Sequence, residues 1–234
     1  MASDELREDV ALANQILAQQ GVLDGYGHVS ARSDDGHNHY LIGDRTPPGN
    51  IRAENVFPWT LDDEPAGHEH PTYTERFIHG QIYRARPDVG GVVHCHAPEL
   101  IPFGAGNIPL RPLSHMAGFQ GTDPLPIFDI RDEFGPDTDM LIRTREQGVA
   151  LARALGTRPI VLMRGHGATI AAATVRQATF WAVYAVLNAR ALMQTLMAGG
   201  TPTYLNASEG ANVAKVNGEG SRTWDYLCRL VRAE

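Results

Sequence analysis

The sequence predicts an α/β fold in which helices pack on both faces of a central mixed or antiparallel sheet. Three observations lead to it. Apolar residues recur at helical spacing in stretches such as 4–20 and 174–200; short apolar or alternating runs such as 88–97 and 158–170 read as strands; and the two kinds of element interleave without the even crossover rhythm of a parallel sheet. A chain of 234 residues can bury a full core, and the expectation is one domain spanning 1–234.

Residues 4–20 carry Leu6, Val10, Leu12, Ala13, Ile16 and Leu17 on one helical face, with Ser3 as a cap. The alternating "GYGHVSARSDDGHNHYLIG" folds back on itself at "SDDGHN", the pattern of a hairpin. "PPGNIRAENV" breaks structure before a short strand near Val56–Leu61, and "DDEPAGHEHP" is loop. "TYTERFIHGQIYRA" fits a second helix with Phe77, Ile78 and Ile82 on one side, stopped where Pro87 biases Arg86 away from helical dihedrals. A strand follows in "DVGGVVHCHA", a short helix in "PELIPFGAG" and a strand in "PLPIFDI". "REQGVALARALG" is a helix closed by glycine, "RPIVLMRGHGATI" a buried strand with its turn, and 174–200 a long amphipathic helix. Residues 201–224 read as polar turns with few apolar anchors, ordered by lying on a neighbour.

Composition narrows the function. A 43% hydrophobic, 20% charged chain without a run of about 18 apolar residues is that of a soluble protein with no membrane span. Its net charge of −7 comes with no basic cluster, so a nucleic-acid partner is not expected. Cys95 and Cys228 form no CxxC or disulfide framework, which suits a reducing compartment. The acidic, amphipathic start lacks the basic and apolar regions of a secretory signal, so a cytoplasmic location is expected.

The chemistry concentrates in histidines. Side chains alternate along a strand, so in "GGVVHCHAPE" His94 and His96 share one face while Cys95 faces the other and packs as a small hydrophobe. Two imidazoles so placed can grip a divalent ion, although a polar strand end has the same spacing. His166 stands between Gly165 and Gly167 after an apolar strand, which leaves its imidazole either in a cleft or facing solvent. Glu75 lies near the start of the helix that runs into the His94 strand, placed to act as a fourth ligand or a general base; a negative charge also suits a first helical turn. His79, one turn on, reads as a packing or hydrogen-bonded residue outside the site.

Together, the segment from Glu75 to His96 and the later "RGHG" resemble the class II aldolase/adducin family, and "GHVSAR" at 27–32 is similar to that family's early strand. The resemblance spans nearly the whole chain. It implies a three-layer α/β/α fold around a predominantly antiparallel, nine-stranded sheet, and a homotetramer of fourfold symmetry with active sites at subunit interfaces. It further implies His94, His96 and His166 as ligands to one divalent metal per subunit, with Glu75 beside it. Zn²⁺, Mn²⁺ and Fe²⁺ all suit such a donor set.

The departures redirect the substrate. Where sugar-phosphate aldolases of this family carry Asn and a pair of Ser, this chain has His28, Tyr73 and Thr74, which places them as substrate-binding residues and disfavours a phosphate, a hydrogen-bonded structural role suiting His28 equally. Near the aldolases' catalytic Tyr stands His115, an imidazole able to donate a proton. "TERFIHGQIYRARPDV" and "RPLSHMAGFQG" resemble the aromatic-acid decarboxylase branch, which acts on hydroxylated phthalates and hydroxypyridine dicarboxylates. The expected activity is metal-dependent decarboxylation of a hydroxylated aromatic or pyridine acid, with Glu75 and His115 catalytic. Alternatives are an aldolase for an unusual aldol, an adducin-like binding domain without catalysis, and an iron-dependent oxygenase.

Overall fold

Helix α1 (Asp4–Gln19) starts where the sequence places it, with the Ser3 hydroxyl accepting from the Leu6 N–H at 3.3 Å. The computed structural model describes residues 3–34, 38–217 and 220–233. The strands β1 (His28–Arg32) and β2 (His39–Gly43) pair antiparallel as the expected hairpin, whose tip at 35–37 lies outside the described residues. β3 (Val56–Thr60) continues the meander antiparallel to β2.

Glu75 lies near the start of the second helix, as expected, but ahead of its α-helical part. It sits in a single 3₁₀ turn, Thr74–Arg76, with φ −87° and ψ 19°, and the α-helix α2 (Phe77–Ala85) begins after it. α2 leads into β4 (Gly91–Cys95), followed by α3 (Ile101–Ala105). The expected strand in 124–130 shrinks to β5 (Ile127–Phe128), with the short α4 (Arg131–Phe134) behind it. α5 (Arg145–Leu155) has a full capping box between Thr144 and Gln147. β6 (Ile160–Met163) and β7 (Gly167–Ala172) form a hairpin, so the "RGHG" segment is its three-residue turn plus the first residue of a second strand. The long helix is α6 (Val175–Met197).

Residues 201–224 correct the expectation of polar turns. They contain α7 (Ala207–Asn217) and the start of α8 (Ser221–Arg232). α8 buries Trp224, Leu227 and Cys228 against α1 and α6 of its own chain. Its apolar residues recur at helical spacing only when Leu230 and Val231, beyond the polar segment, are read with them.

The described strands form one seven-stranded sheet, β3-β2-β1-β4-β7-β6-β5, rather than the nine implied by resemblance. Every pair is antiparallel except β5 with β6. Strand alternation sends Val93 and Cys95 to one face, where they pack with α1, α6 and α8, and Val92 and His94 to the other, which α2 and α5 cover. Ile78 and Ile82 of α2 are fully buried there, so Ile82→Ala carries a cavity penalty of about 2–5 kcal/mol. None of the helices of the described residues is long and apolar enough to cross a membrane.

Candidate metal centre and active site

The register of the sheet builds the site. His28 of β1 lies directly across from His94 of β4, and His94 across from Thr169 of β7, so three polar side chains meet on the α2 face. The β6–β7 turn then carries His166 over the end of β4. Gly167 has φ +147°, and a Cβ there would meet the Cys95 carbonyl at 2.0 Å, so only glycine lets the two chains approach closely enough.

Three Nε2 atoms converge as a result. His96 Nε2 lies 3.1 Å from both His94 Nε2 and His166 Nε2, and Glu75 Oε2 is 3.6 Å from each of the latter two. All four donor atoms fall within 4.8 Å of one another. Two of the outward nitrogens are also assigned. His166 Nδ1 lies 3.0 Å from the Met140 carbonyl, which can only accept, so its proton is on Nδ1 and Nε2 keeps a lone pair for the centre. Thr169 Oγ1 donates to Met163 Sδ at 3.4 Å and stands 3.3 Å from His94 Nδ1, whose proton it accepts, leaving His94 Nε2 free in the same sense.

Electrostatics agree with ligation. Burial, then the neighbouring His94 and His166, holds His96 down at about 4. Burial followed by His94 likewise lowers His166. Burial pushes the Glu75 carboxyl up, but His94, His166 and the Ile142 N–H, which donates to Oε1 at 2.9 Å, more than offset it and hold the group at about 2. Burial thus favours the neutral form of His96 and His166, while Glu75 is held as the carboxylate. That is a donor set for a divalent ion, with His94, His96, His166 and Glu75 as the residues that would hold it.

The centre opens into a pocket of about 330 Å³ lined by Tyr26, His28, Arg45, Tyr73, Thr74, Glu75, His96 and Leu141, together with two glycines of the 25–27 turn. Tyr73 packs on the His28 ring, centroids 4.5 Å apart, and donates to the Thr46 carbonyl at 3.2 Å. Arg45 supplies the pocket's cation, its Nε donating to the Thr72 carbonyl at 3.2 Å. Cys95 is fully buried on the opposite face, and burial pushes its thiol up to about 11.

The structure thus gathers His28, Tyr73, Thr74, Glu75, His94, His96 and His166. It does not bring His115 to them. That residue is exposed at the start of the 3₁₀ segment His115–Gln120, which packs against α6 and α7. Sequence reading also set aside His79, whose Nε2 lies 2.6 Å from His28 Nδ1. Arg45, Tyr26, Thr169 and the Met140–Ile142 loop were missed. Arg45 alone had a readable signal, a lone cation in the turn after a strand.

Comparison with known proteins follows the same lines. The profile of the Class II Aldolase and Adducin N-terminal domain matches residues 8–193. The decarboxylase tropJ of Talaromyces stipitatus is 36% identical over 188 residues, covering 75% of this chain and 70% of that protein. The 3,4-dihydroxyphthalate decarboxylase of Arthrobacter keyseri is 31% identical over 242 residues, covering 97% and 93%. Among solved structures, an aldolase II superfamily protein from Pseudomonas syringae superposes with a TM-score of 0.79 at 22% identity, covering 98% of this chain and 93% of that one.

Proposed function

Because the chain belongs to the class II aldolase and adducin family, and is similar over most of its length to decarboxylases, we propose that it is a metal-dependent carbon–carbon lyase. It removes carbon dioxide from a hydroxylated aromatic or pyridine (di)carboxylic acid. One observation carries this reading: three imidazole nitrogens and a carboxylate oxygen converge beside a pocket whose walls are aromatic rings and whose cation is Arg45.

His94, His96, His166 and Glu75 would hold a divalent ion, Zn²⁺, Mn²⁺ or Fe²⁺, which would supply Lewis-acid charge to stabilise the electron pair left when the carbon–carbon bond breaks. The chain's own residues do the rest. Glu75, ionised and held by Ile142, completes the donor set. Tyr73 and His28 flank the ring, Thr74 offers it a hydroxyl, and Arg45 pairs with a second carboxylate. His115 donates a proton to the ring carbon bearing the departing carboxylate. The dienone so formed loses carbon dioxide as aromaticity returns, and the imidazole is reprotonated from water.

His115 lies outside its own chain's pocket, so it serves the site of a neighbouring subunit in a fourfold homotetramer. The 234 residues work as one cytoplasmic domain, consistent with two unpaired, buried cysteines. The test is a screen of hydroxylated phthalates and pyridine dicarboxylates for carbon dioxide release, with Zn²⁺, Mn²⁺ and Fe²⁺ added in turn. Release that depends on a metal supports the reading; carbonyl products from aldols without carbon dioxide favour an aldolase instead.

A further inference from the structure

The geometry points to a one-way hydrogen-bond chain, Tyr83 to Ser30 to His79 to His28, that fixes the tautomer of His28 and presents its Nε2–H to the pocket as a donor for an anionic oxygen. Tyr83 lies in α2, five residues short of Asp88, and is 1% exposed. Its hydroxyl is 2.8 Å from Ser30 Oγ, and among the described residues no other acceptor is within hydrogen-bond reach of it. The phenol therefore donates to Ser30. Ser30, fully buried, has one proton of its own and one further partner, His79 Nδ1 at 2.5 Å, which must accept it. With Nδ1 accepting, neutral His79 carries its proton on Nε2 and gives it to His28 Nδ1 at 2.6 Å. His28 is then left with its own proton on Nε2.

That nitrogen has no hydrogen-bond partner among the described residues, while the ring lines the pocket beside Tyr73 and Thr74. Each link is a direct contact between buried groups, so reversing one link leaves a buried donor facing a donor further along, a costly arrangement. His79 is thus a positioning residue and His28 a specificity-determining one. A ligand presenting a carboxylate or phenolate oxygen beside Tyr73 is favoured, and one presenting a hydrogen-bond donor there is rejected. Which oxygen His28 meets rests on the proposed reaction; the direction of the chain does not.

Two-bond ¹H–¹⁵N spectra of histidine-labelled, Zn²⁺-loaded protein read the tautomer directly. His28 is expected as the Nε2–H form in the wild type and in His79→Gln, whose amide can donate to His28 and accept from Ser30. Tyr83→Phe removes the first proton and should give a mixture of tautomers. Phthalate, the probe ligand, should then bind about twofold more weakly if half the population is competent, and His79→Leu, which also frees the His28 tautomer, should weaken it at least as much. An Nδ1–H tautomer in the wild type, or an unmixed Nε2–H form in Tyr83→Phe, overturns the inference. Because the spectra need no turnover, they stand or fall separately from carbon dioxide release.

Discussion

His166 donates its Nδ1–H to the carbonyl of Met140 at 3.0 Å, and Met140 holds φ +68° to present that carbonyl. A side chain in this left-handed region costs on the order of 1–3 kcal/mol, which the surrounding loop must offset. Two residues on, the Ile142 N–H fixes Glu75. One loop thus orients two of the four donors of the metal centre.

Thr169 orients a third. Thr169→Val keeps the shape of the buried side chain but removes the acceptor for His94 Nδ1–H, so metal affinity should fall by about 10- to 100-fold with the fold retained. Alanine at His94, His96 or His166 should go further and abolish stoichiometric metal. Competition with a chelator followed by elemental analysis measures both, and a triple alanine variant that keeps its metal contradicts the ligand assignment.

Cys95→Ser should leave turnover and metal content intact. The thiol lies in the core on the face away from the imidazoles, so the expected cost is a modest loss of stability, about 1 kcal/mol for a hydroxyl placed among apolar side chains. Loss of activity in a folded, metal-loaded Cys95→Ser protein places the thiol in the chemistry after all.

The metal-stripped protein should lose stability on mild acidification. Burial, with His94 nearby, holds His79 at about 3 in the folded state against 6.5 ordinarily, so below pH 6.5 the unfolded chain takes up the proton first. Stability from this residue then falls by about 1.4 kcal/mol per pH unit. His28, His96 and His166 are lowered by burial and act in the same direction. Asp63 opposes them, its carboxyl raised by burial to about 6, but it is one group against several. Urea unfolding at pH 7.5 and 5.5 reads the net effect, and an unchanged midpoint contradicts it.

If His115 acts across a subunit boundary, His115→Asn should retain metal and lower turnover by roughly 10²–10⁴-fold. Mixed oligomers of His115→Asn with His94→Ala subunits should regain part of the activity, because some sites then pair an intact metal centre with an intact imidazole. Light scattering that finds a monomer, or mixtures that stay inactive, removes the cross-subunit role.

The central geometry was legible because it rests on strand alternation. His94 and His96 share a face and Cys95 does not, and a glycine-flanked His166 needs a close approach to become a ligand, as Gly167 provides. His79 is the buried, hydrogen-bonded helix residue the sequence suggests; its link to His28 was not legible because it depends on the β1 residues opposite it. Met140 and Ile142 act through backbone atoms, which leave no mark on side-chain pattern. The C-terminal helices were hidden by a polar, glycine-containing approach to an apolar stripe centred on Trp224 and Leu227.

The most direct measurement follows ¹³C-labelled carbon dioxide from carboxyl-labelled hydroxylated aromatic and pyridine carboxylic acids, using protein with and without added metal. The account predicts labelled carbon dioxide from at least one hydroxylated aromatic acid, lost on chelation and restored by a divalent ion. Cleavage of sugar phosphates with no carbon dioxide from any such acid, or release that survives complete metal removal, contradicts it.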